Sequence, residues 1–437
     1  MNNNRKMKRT LLLLAAAACL CACGPDRENV LKVYNWSDYM DVTAIDEFEQ
    51  WYEEQTGEPV KVILQTFDVN ETMLSKIEKG QEDFDVVCPS DYIIERMLKR
   101  DLLLPIDRDF GSTPDYITQN ESPFVRACFD KFEGNGKNAN DYAVGYMWGT
   151  VGILYNTKYV TAEEASTWDI FRNPKFAGKM FMKEDARDVF SQILIFLRQD
   201  ELKSGQVTLD ELMHDSSDKA LADVEAYLKE VKPLVAGWEA DFGKDQLILE
   251  HGWVSLNWSG DGVWARDQAI PHGVDIGFAF PKEGFTLFFD GWVIPKYAKN
   301  VKAARYWINF MSRPDIVIRN VKETGYVSCS GSTEVLDAFV DDKYEPVDLS
   351  YFFGPEAAAV RTDRILYPDR SDIERATLEH DWGERADALV AMWGRVKGDN
   401  ANAMTFIVIG AVAAALVVFA LIRRSAGKHR SKGRRRR

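Results

Sequence analysis

The sequence predicts an α/β fold in two domains, and three observations carry the prediction. Residues 31–107 alternate short apolar runs with amphipathic segments in the order β-α-β-α-β, the pattern of a parallel sheet with right-handed crossovers. A second α/β series begins at Trp168 and runs to Met311. At 437 residues the chain is long enough to build two cores.

The elements follow in order. Leu31, Val33 and Tyr34 open a strand that breaks at Asn35-Trp36-Ser37-Asp38, a cluster of turn and capping types. A helix follows over 42–52, with Ile45, Phe48 and Tyr52 at helical spacing. Trp36, Ser37, Asp38 and Tyr39 therefore fall on a loop at the C-terminal end of a strand, the rim where open α/β sheets bind ligands. A strand at 60–64 and a helix at 70–79, with Met73, Leu74 and Ile77 on one face, come next. They are followed by a buried strand at 85–88, a helix at 92–99 and an extended segment at 102–106. Residues 113–140 read as polar and irregular, and 142–155 as a β-like crossing between the two lobes. Beyond it the pattern gives a strand at 179–182, a helix at 186–198 and a largely helical stretch at 209–234. Strands at 253–258 (ending in Ser-Gly-Asp-Gly), 278–281 and 286–294 precede a helix at 303–311. After Tyr367-Pro-Asp369 the chain reads as helical to Val396.

The ends have a different composition. Arg5, Lys6, Lys8 and Arg9 precede an apolar run closing in Leu20-Cys-Ala-Cys23, a signal peptide over 1–23 whose end resembles a lipobox with Cys23 as the lipidated residue. Cys19 is a weaker alternative. Residues 398–403 read as a linker. Residues 404–422 carry no charge and as a helix would measure about 28 Å, enough to span a bilayer. The tail, 423–437, holds nine Lys or Arg and no acid, which places it in the cytoplasm. A nucleic-acid-binding tail is the alternative for that cluster, but its position behind a span favours topology. The expected location is the outer face of the cytoplasmic membrane, anchored through the C-terminal helix and a possible lipid.

The whole chain has 54 basic and 68 acidic residues, net −14; with the two basic ends set aside, 41 basic residues face 68 acidic ones, net −27. Such a field disfavours nucleic acid and draws cations. Three of six cysteines lie in the leader, and Cys88, Cys128 and Cys329 show no CxxC spacing. Cys88 reads as core, and a 128–329 bridge has no support from spacing. The five histidines make no HExxH or zinc pattern, and GxSxG, Walker and GxGxxG motifs are absent. No enzyme, metal or cofactor is expected.

What recurs is an aromatic beside a carboxylate at a strand end: Trp36-Ser-Asp38-Tyr39, Trp258-Ser-Gly-Asp261 and Phe288-Phe-Asp290-Gly-Trp292. Asp185 and Asp188, three apart at a helix start, add a fourth acidic group. Each has a plainer alternative: Asp185 as a helix cap, Trp258 as core, Phe288 and Asp290 as ordinary strand alternation. Ring faces with carboxylates suit an organic cation.

Asn35-Trp-Ser-Asp-Tyr39, Asn70-Glu-Thr-Met73, Asp85-Val-Val-Cys-Pro-Ser90, Tyr146-Met-Trp-Gly149, Asp185-Ala-Arg-Asp-Val-Phe190, Trp258-Ser-Gly-Asp261, Pro281-Lys-Glu-Gly284, Phe288-Phe-Asp290, Arg313-Pro-Asp315 and Gly325-Tyr326 follow one another along residues 31–397. As an ordered set they resemble the spermidine/putrescine-binding proteins of bacterial ABC transporters. The resemblance implies a two-lobed periplasmic-binding-protein fold of type II-like form, with polyamine held between lobes. The lobes would be 29–146 plus about 288–330, and about 147–287 plus 331–397. Trp36, Tyr39, Trp258, Phe288 and Tyr326 would be its aromatic walls. Asp38, Asp185, Asp188, Asp261 and Asp290 would be its carboxylates, with Ser37, Ser90 and Tyr92 as polar contacts.

The chain is mixed in its departures. It resembles spermidine-preferring members at Asp185-Ala-Arg-Asp188, but Phe288 stands where they usually have Trp. It resembles putrescine-preferring members at Trp258 to Asp261 and at Phe288-Phe-Asp290. Glu379 aligns with a Gln of a spermidine-binding relative and could add or relocate a cation site. A C-terminal span departs from the family pattern. The implied function is delivery of putrescine or spermidine to an ABC permease and its ATPase by cleft closure. A membrane-tethered polyamine sensor and a sugar-binding protein or glycosidase are the alternatives.

Overall fold

The computed structural model describes residues 27–398 except Gln81 and Asp241. The signal peptide with Cys23, the linker beyond Gly398, the apolar span and the basic tail lie outside the described residues. Among the described residues no helix is long and apolar enough to cross a membrane. The chain up to Ala386 forms one compact unit, and Asp387 begins a second. The described part of the second is a helix carrying Leu389, Met392, Trp393 and Val396 at helical spacing.

The first unit is organised by a twelve-stranded sheet. Its strands are β1 (Val30–Trp36), β2 (Lys61–Phe67), β3 (Val86–Val87), β4 (Leu103–Leu104), β5 (Ala143–Asn156) and β6 (Met180–Lys183). They continue as β7 (Val235–Glu239), β8 (Val254–Trp258), β9 (Ile276–Ala279), β10 (Phe285–Pro295), β11 (Val327–Ser328) and β12 (Ala376–Leu378). The main order is β2-β1-β3-β10-β5-β8-β6-β7, with β9 and β11 on β5 and β4 and β12 on β10. β1 pairs parallel with both β2 and β3, as the β-α-β-α-β reading requires. It is buried along most of its length, which is why Val30, Leu31, Val33 and Tyr34 read as a continuous apolar run rather than an alternation.

β5 belongs to both halves of the sheet. Its first part, Ala143 to Thr150, pairs with β10; its second, Val151 to Tyr155, pairs with β8. The aromatic run between the two α/β series is thus a strand that crosses from one to the other.

The helices that position the site are α1 (Ala44–Thr56), α2 (Asn70–Glu78), α3 (Asp91–Lys99), α4 (Ala186–Leu197) and α5 (Ser259–Ala269). α1 starts two residues later than its apolar spacing suggests, because the Asp41 carboxylate accepts from the N–H and hydroxyl of Thr43 and holds a turn there. It runs on to Thr56 and stops at Gly57, whose φ of 71° suits glycine.

Two expectations are corrected and one is refined. Residues 113–140 are not irregular: they hold helices Tyr116–Gln119 and Pro123–Phe129 and a hairpin pairing Glu133–Gly134 with Lys137–Asn138. The hairpin turns on Asn135 and Gly136, both left-handed, and this Asn-Gly signal was legible. The stretch 209–234 is largely helical as expected, in two helices, Leu209–His214 and Asp218–Val231, the second capped by the Ser217 hydroxyl. The segment after Asp369 is not one helix: β12 pairs parallel with β10, so sheet pairing outweighs local propensity until Ala386.

Candidate functional site

Asp290 sits on β10 beside a register shift between Asp290 and Gly291, a bulge that turns its carboxylate away from the ladder. It is 4% exposed. The Ser90 hydroxyl donates to Oδ1 at 2.7 Å and the Tyr39 phenol to Oδ2 at 2.7 Å. The Trp36 indole N–H adds a weaker favourable contact short of a full hydrogen bond. Burial pushes the Asp290 carboxyl up to about 6, and these three donors limit the rise. All three are neutral.

Behind them the Asn70 amide, at the start of α2, donates to the Ser90 hydroxyl at 3.0 Å and to the Tyr92 phenol at 3.3 Å. Tyr92 in turn donates to Glu71 at 3.2 Å. The Tyr146 phenol donates to the Tyr39 carbonyl at 2.8 Å and so fixes that turn. Ser37 and Asp38 are exposed in the turn after β1, where Asp38 holds a left-handed φ of 51°.

From Tyr39 a series of edge-on aromatic contacts crosses the site. Tyr39 meets Tyr326 at 5.0 Å, Tyr326 meets Phe288 at 6.2 Å and Phe288 meets Trp258 at 6.5 Å between centroids. Two glycines make room for it. A Cβ on Gly149 would lie 2.6 Å from Phe288, and one on Gly260 would lie 2.4 Å from the Tyr326 ring. Gly260 and Gly262, just after Trp258, stand in the first turn of α5, and Gly260 admits a ring.

At the far end the Trp258 indole donates to Asp188 Oδ2 at 2.7 Å. Asp185 caps α4, accepting from the N–H groups of Arg187 at 2.8 Å and Asp188 at 3.1 Å, so the helix-cap alternative is what its Oδ1 does. Asp188 is held well above the usual carboxylate range by burial and then by the like charges of Asp185 and Glu379. Glu379 directly follows β12, is 5% exposed, and has one carboxylate oxygen without a hydrogen-bond partner. Burial lifts it to about 8 despite the opposing pull of Arg187 and Ser191. The Arg187 guanidinium lies over the Tyr92 and Trp382 rings at 5.1 and 4.4 Å.

Asp261 stands apart from these acids. Both its oxygens meet lysines: Lys183 Nζ at 3.0 Å from Oδ2 and Lys244 Nζ at 3.0 Å from Oδ1. Burial opposes its ionisation, but the two ammonium groups outweigh it and hold the carboxyl below its ordinary value. Tyr326 also donates to Oδ1 at 3.2 Å. The structure therefore brings Trp36, Tyr39, Ser90, Tyr92, Asp290, Tyr326, Phe288, Trp258, Asp188, Asp185 and Glu379 around one set of connected contacts, which Asp261 joins through Tyr326 while ion-paired to Lys183 and Lys244, with Ser37 and Asp38 at the exposed turn. Sequence reading gave no role to Lys183 and Arg187, although Arg187 stands inside the acidic motif quoted above and Lys183 two residues before it. The signal was the alternation of charge there.

Cys88, Cys128 and Cys329 are buried and unbridged, with Cys88 in the core.

Comparison with known proteins gives the class. The chain belongs to the bacterial extracellular solute-binding protein family, which it matches over residues 43–344. A spermidine/putrescine-binding periplasmic protein of Escherichia coli (strain K12) is 26% identical over 398 residues, 90% of this chain and 99% of the relative. The putrescine-binding periplasmic protein PotF of the same organism is 28% identical over 340 residues, 74% of this chain and 85% of the relative. A solved structure from Listeria monocytogenes, assigned to a spermidine/putrescine ABC transporter, superposes with a TM-score of 0.66 at 28% identity, over 84% of this chain and 99% of that one. The fold is the two-lobed periplasmic-binding-protein fold, and β5 is one of the strands its two halves share.

Proposed function

We propose that this chain binds a linear polyamine, putrescine or spermidine, and delivers it to the permease and ATPase of an ABC importer on the outer face of the membrane. The observation that carries the reading is Asp290: a carboxylate nine-tenths buried whose partners among the described residues are all neutral donors. Such a group is costly unless a cation joins it. The edge-on aromatic series from Tyr39 to Trp258 supplies apolar walls for methylenes and ring faces for ammonium groups. Asp188, Asp185 and Glu379 supply the second anionic end, where the raised carboxyls of Asp188 and Glu379 ionise once an ammonium arrives.

The lobes are taken as 29–146 plus about 288–330, and about 147–287 plus 331–397. Because Asp290, Asp188 and Glu379 are all buried, a cation enters only when the lobes part, and its contacts to both ends favour the closed form. That form would be the one recognised by the permease. The anchors of the chain, Cys23 and residues 404–422, would keep it close by.

Titration calorimetry on the purified full-length chain tests the reading with putrescine, cadaverine, spermidine and spermine against glucose and lysine. Saturable one-to-one binding confined to the polyamines is expected. Heat from glucose alone, or from none of the amines, would sink the ligand assignment.

A further inference from the structure

The part of the site around Asp261 is already filled by the chain itself. Lys183, the last residue of β6, is fully buried. Its Nζ lies 3.0 Å from Asp261 Oδ2, 3.2 Å from Glu239 Oε1 and 3.1 Å from the Ala240 carbonyl. It also sits 3.9 Å from the centre of the Trp258 ring. Two of these oxygens accept hydrogen bonds from the ammonium, and Glu239 adds an ion-pair contact. Lys244 takes the other Asp261 oxygen at 3.0 Å. Two ammonium groups, two carboxylates and an aromatic face make the arrangement that a bound diamine would make.

We propose that Lys183 is a specificity-determining residue, a tethered ammonium that occupies the Trp258–Asp261 subsite and confines an incoming amine to Asp290 at one end and the Asp185–Asp188–Glu379 group at the other. The identity of the amine rests on the function proposed above; the occupancy of the subsite by Lys183 does not.

The physical argument is one of displacement. A ligand ammonium reaching Asp261 must either join two lysines on one carboxylate or drive Lys183 off it, leaving that buried ammonium with Glu239 alone, and both are costly. The Trp258 indole N–H is bonded to Asp188, so the ring is pinned with one face covered by Lys183 and only the remainder open to a ligand. Asp188 and Glu379 carry no ion pair comparable to that of Lys183 with Asp261 among the described residues. An additional ammonium on a longer amine therefore gains nothing from Asp261 in this chain.

Calorimetry on the full-length chain, comparing wild type, K183M and the double variant K183M/D261N, tests this. K183M leaves Asp261 with Lys244 alone and Glu239 with no ammonium beside it among the described residues, whereas adding D261N also removes the carboxylate that a new ligand ammonium would meet. K183M is expected to raise the affinity for spermine relative to putrescine by about tenfold, the size of one new charge-assisted contact. The double variant is expected to return that ratio to within about threefold of wild type and to keep its binding. An unchanged ratio in K183M, or loss of all amine binding in the double variant, would overturn the proposal and make Asp261 a ligand carboxylate. If K183M does not fold, the double variant decides. If the wild type binds no amine, the polyamine reading fails, and Lys183 is then tested by K183A with propylammonium, which replaces the deleted atoms. A rise in its Tm with propylammonium but not with equal potassium chloride supports the subsite; no rise overturns it.

Discussion

The Tyr39 phenol donates to the Asp290 carboxylate at 2.7 Å across 251 residues of chain, joining the turn after β1 to the bulge of β10. This contact, with the Ser90 hydroxyl on the other oxygen, presents the acid as an anion that has donors but no counter-charge among the described residues.

Asp290→Asn is expected to weaken polyamine binding by about 2–5 kcal/mol, the usual loss on truncating one partner of a buried charged pair. The Tm of the unliganded chain should stay level or rise, because an amide removes a buried charge that has no cationic partner among the described residues. Calorimetry and thermal unfolding of the same preparation check both halves.

Tyr39→Phe removes one donor without emptying the core around its ring. The expected loss is about 1.5–3 kcal/mol of ligand affinity at neutral pH, the worth of a hydrogen bond to a charged group. The Asp290 carboxyl should titrate above its present value of about 6, so the deficit grows as pH falls. A deficit independent of pH between 5 and 8 would count against the role assigned to this phenol.

The pH dependence has a definite sign. Asp290 and Glu379 have folded-state values of about 6 and about 8, above their ordinary values of 3.8 and 4.5. The folded chain therefore holds protons more tightly than the unfolded one, and the stability they contribute is full below the ordinary values and lost as pH rises through about 6 and then about 8. Unliganded Tm should fall over that window. Ligand affinity should rise over it, with proton release on binding, measurable as a dependence of the heat on buffer ionisation. In Glu379→Gln the part of the proton release near pH 8 should vanish.

Gly260→Ala places a methyl 2.4 Å from the Tyr326 ring. A loss of stability of about 1–3 kcal/mol is expected, the usual result of overpacking. Combining it with Tyr326→Ala should cost less than the sum of the two single changes, which denaturant unfolding can measure.

The legibility of the fold follows its physics. β1 and β3 were readable because buried parallel strands are apolar throughout, β2 from the apolar run Val62-Ile-Leu64 of an edge strand, and the helices between them from their 3.6-residue period. β5 was readable as a crossing from its length and aromatic content. The hairpin at Glu133 carried its Asn-Gly signal inside a polar stretch and was passed over. β12 was not readable, since three residues acquire strand geometry only by pairing with β10.

For the site, the sequence by itself determined which side chains were available: the acids at strand and helix ends, the rings beside them, and the family to which their order belongs. Residue types and short-range spacing suffice for that, because caps, turns and strand ends are set by neighbours in the chain. Which acid is paired internally was decided by tertiary structure alone. Lys183 and Asp261 are 78 residues apart, and Tyr39 and Asp290 are 251 apart. No local pattern encodes those distances. Whether a buried carboxylate keeps its charge for a ligand or gives it to a lysine depends on what the fold brings within about 4 Å.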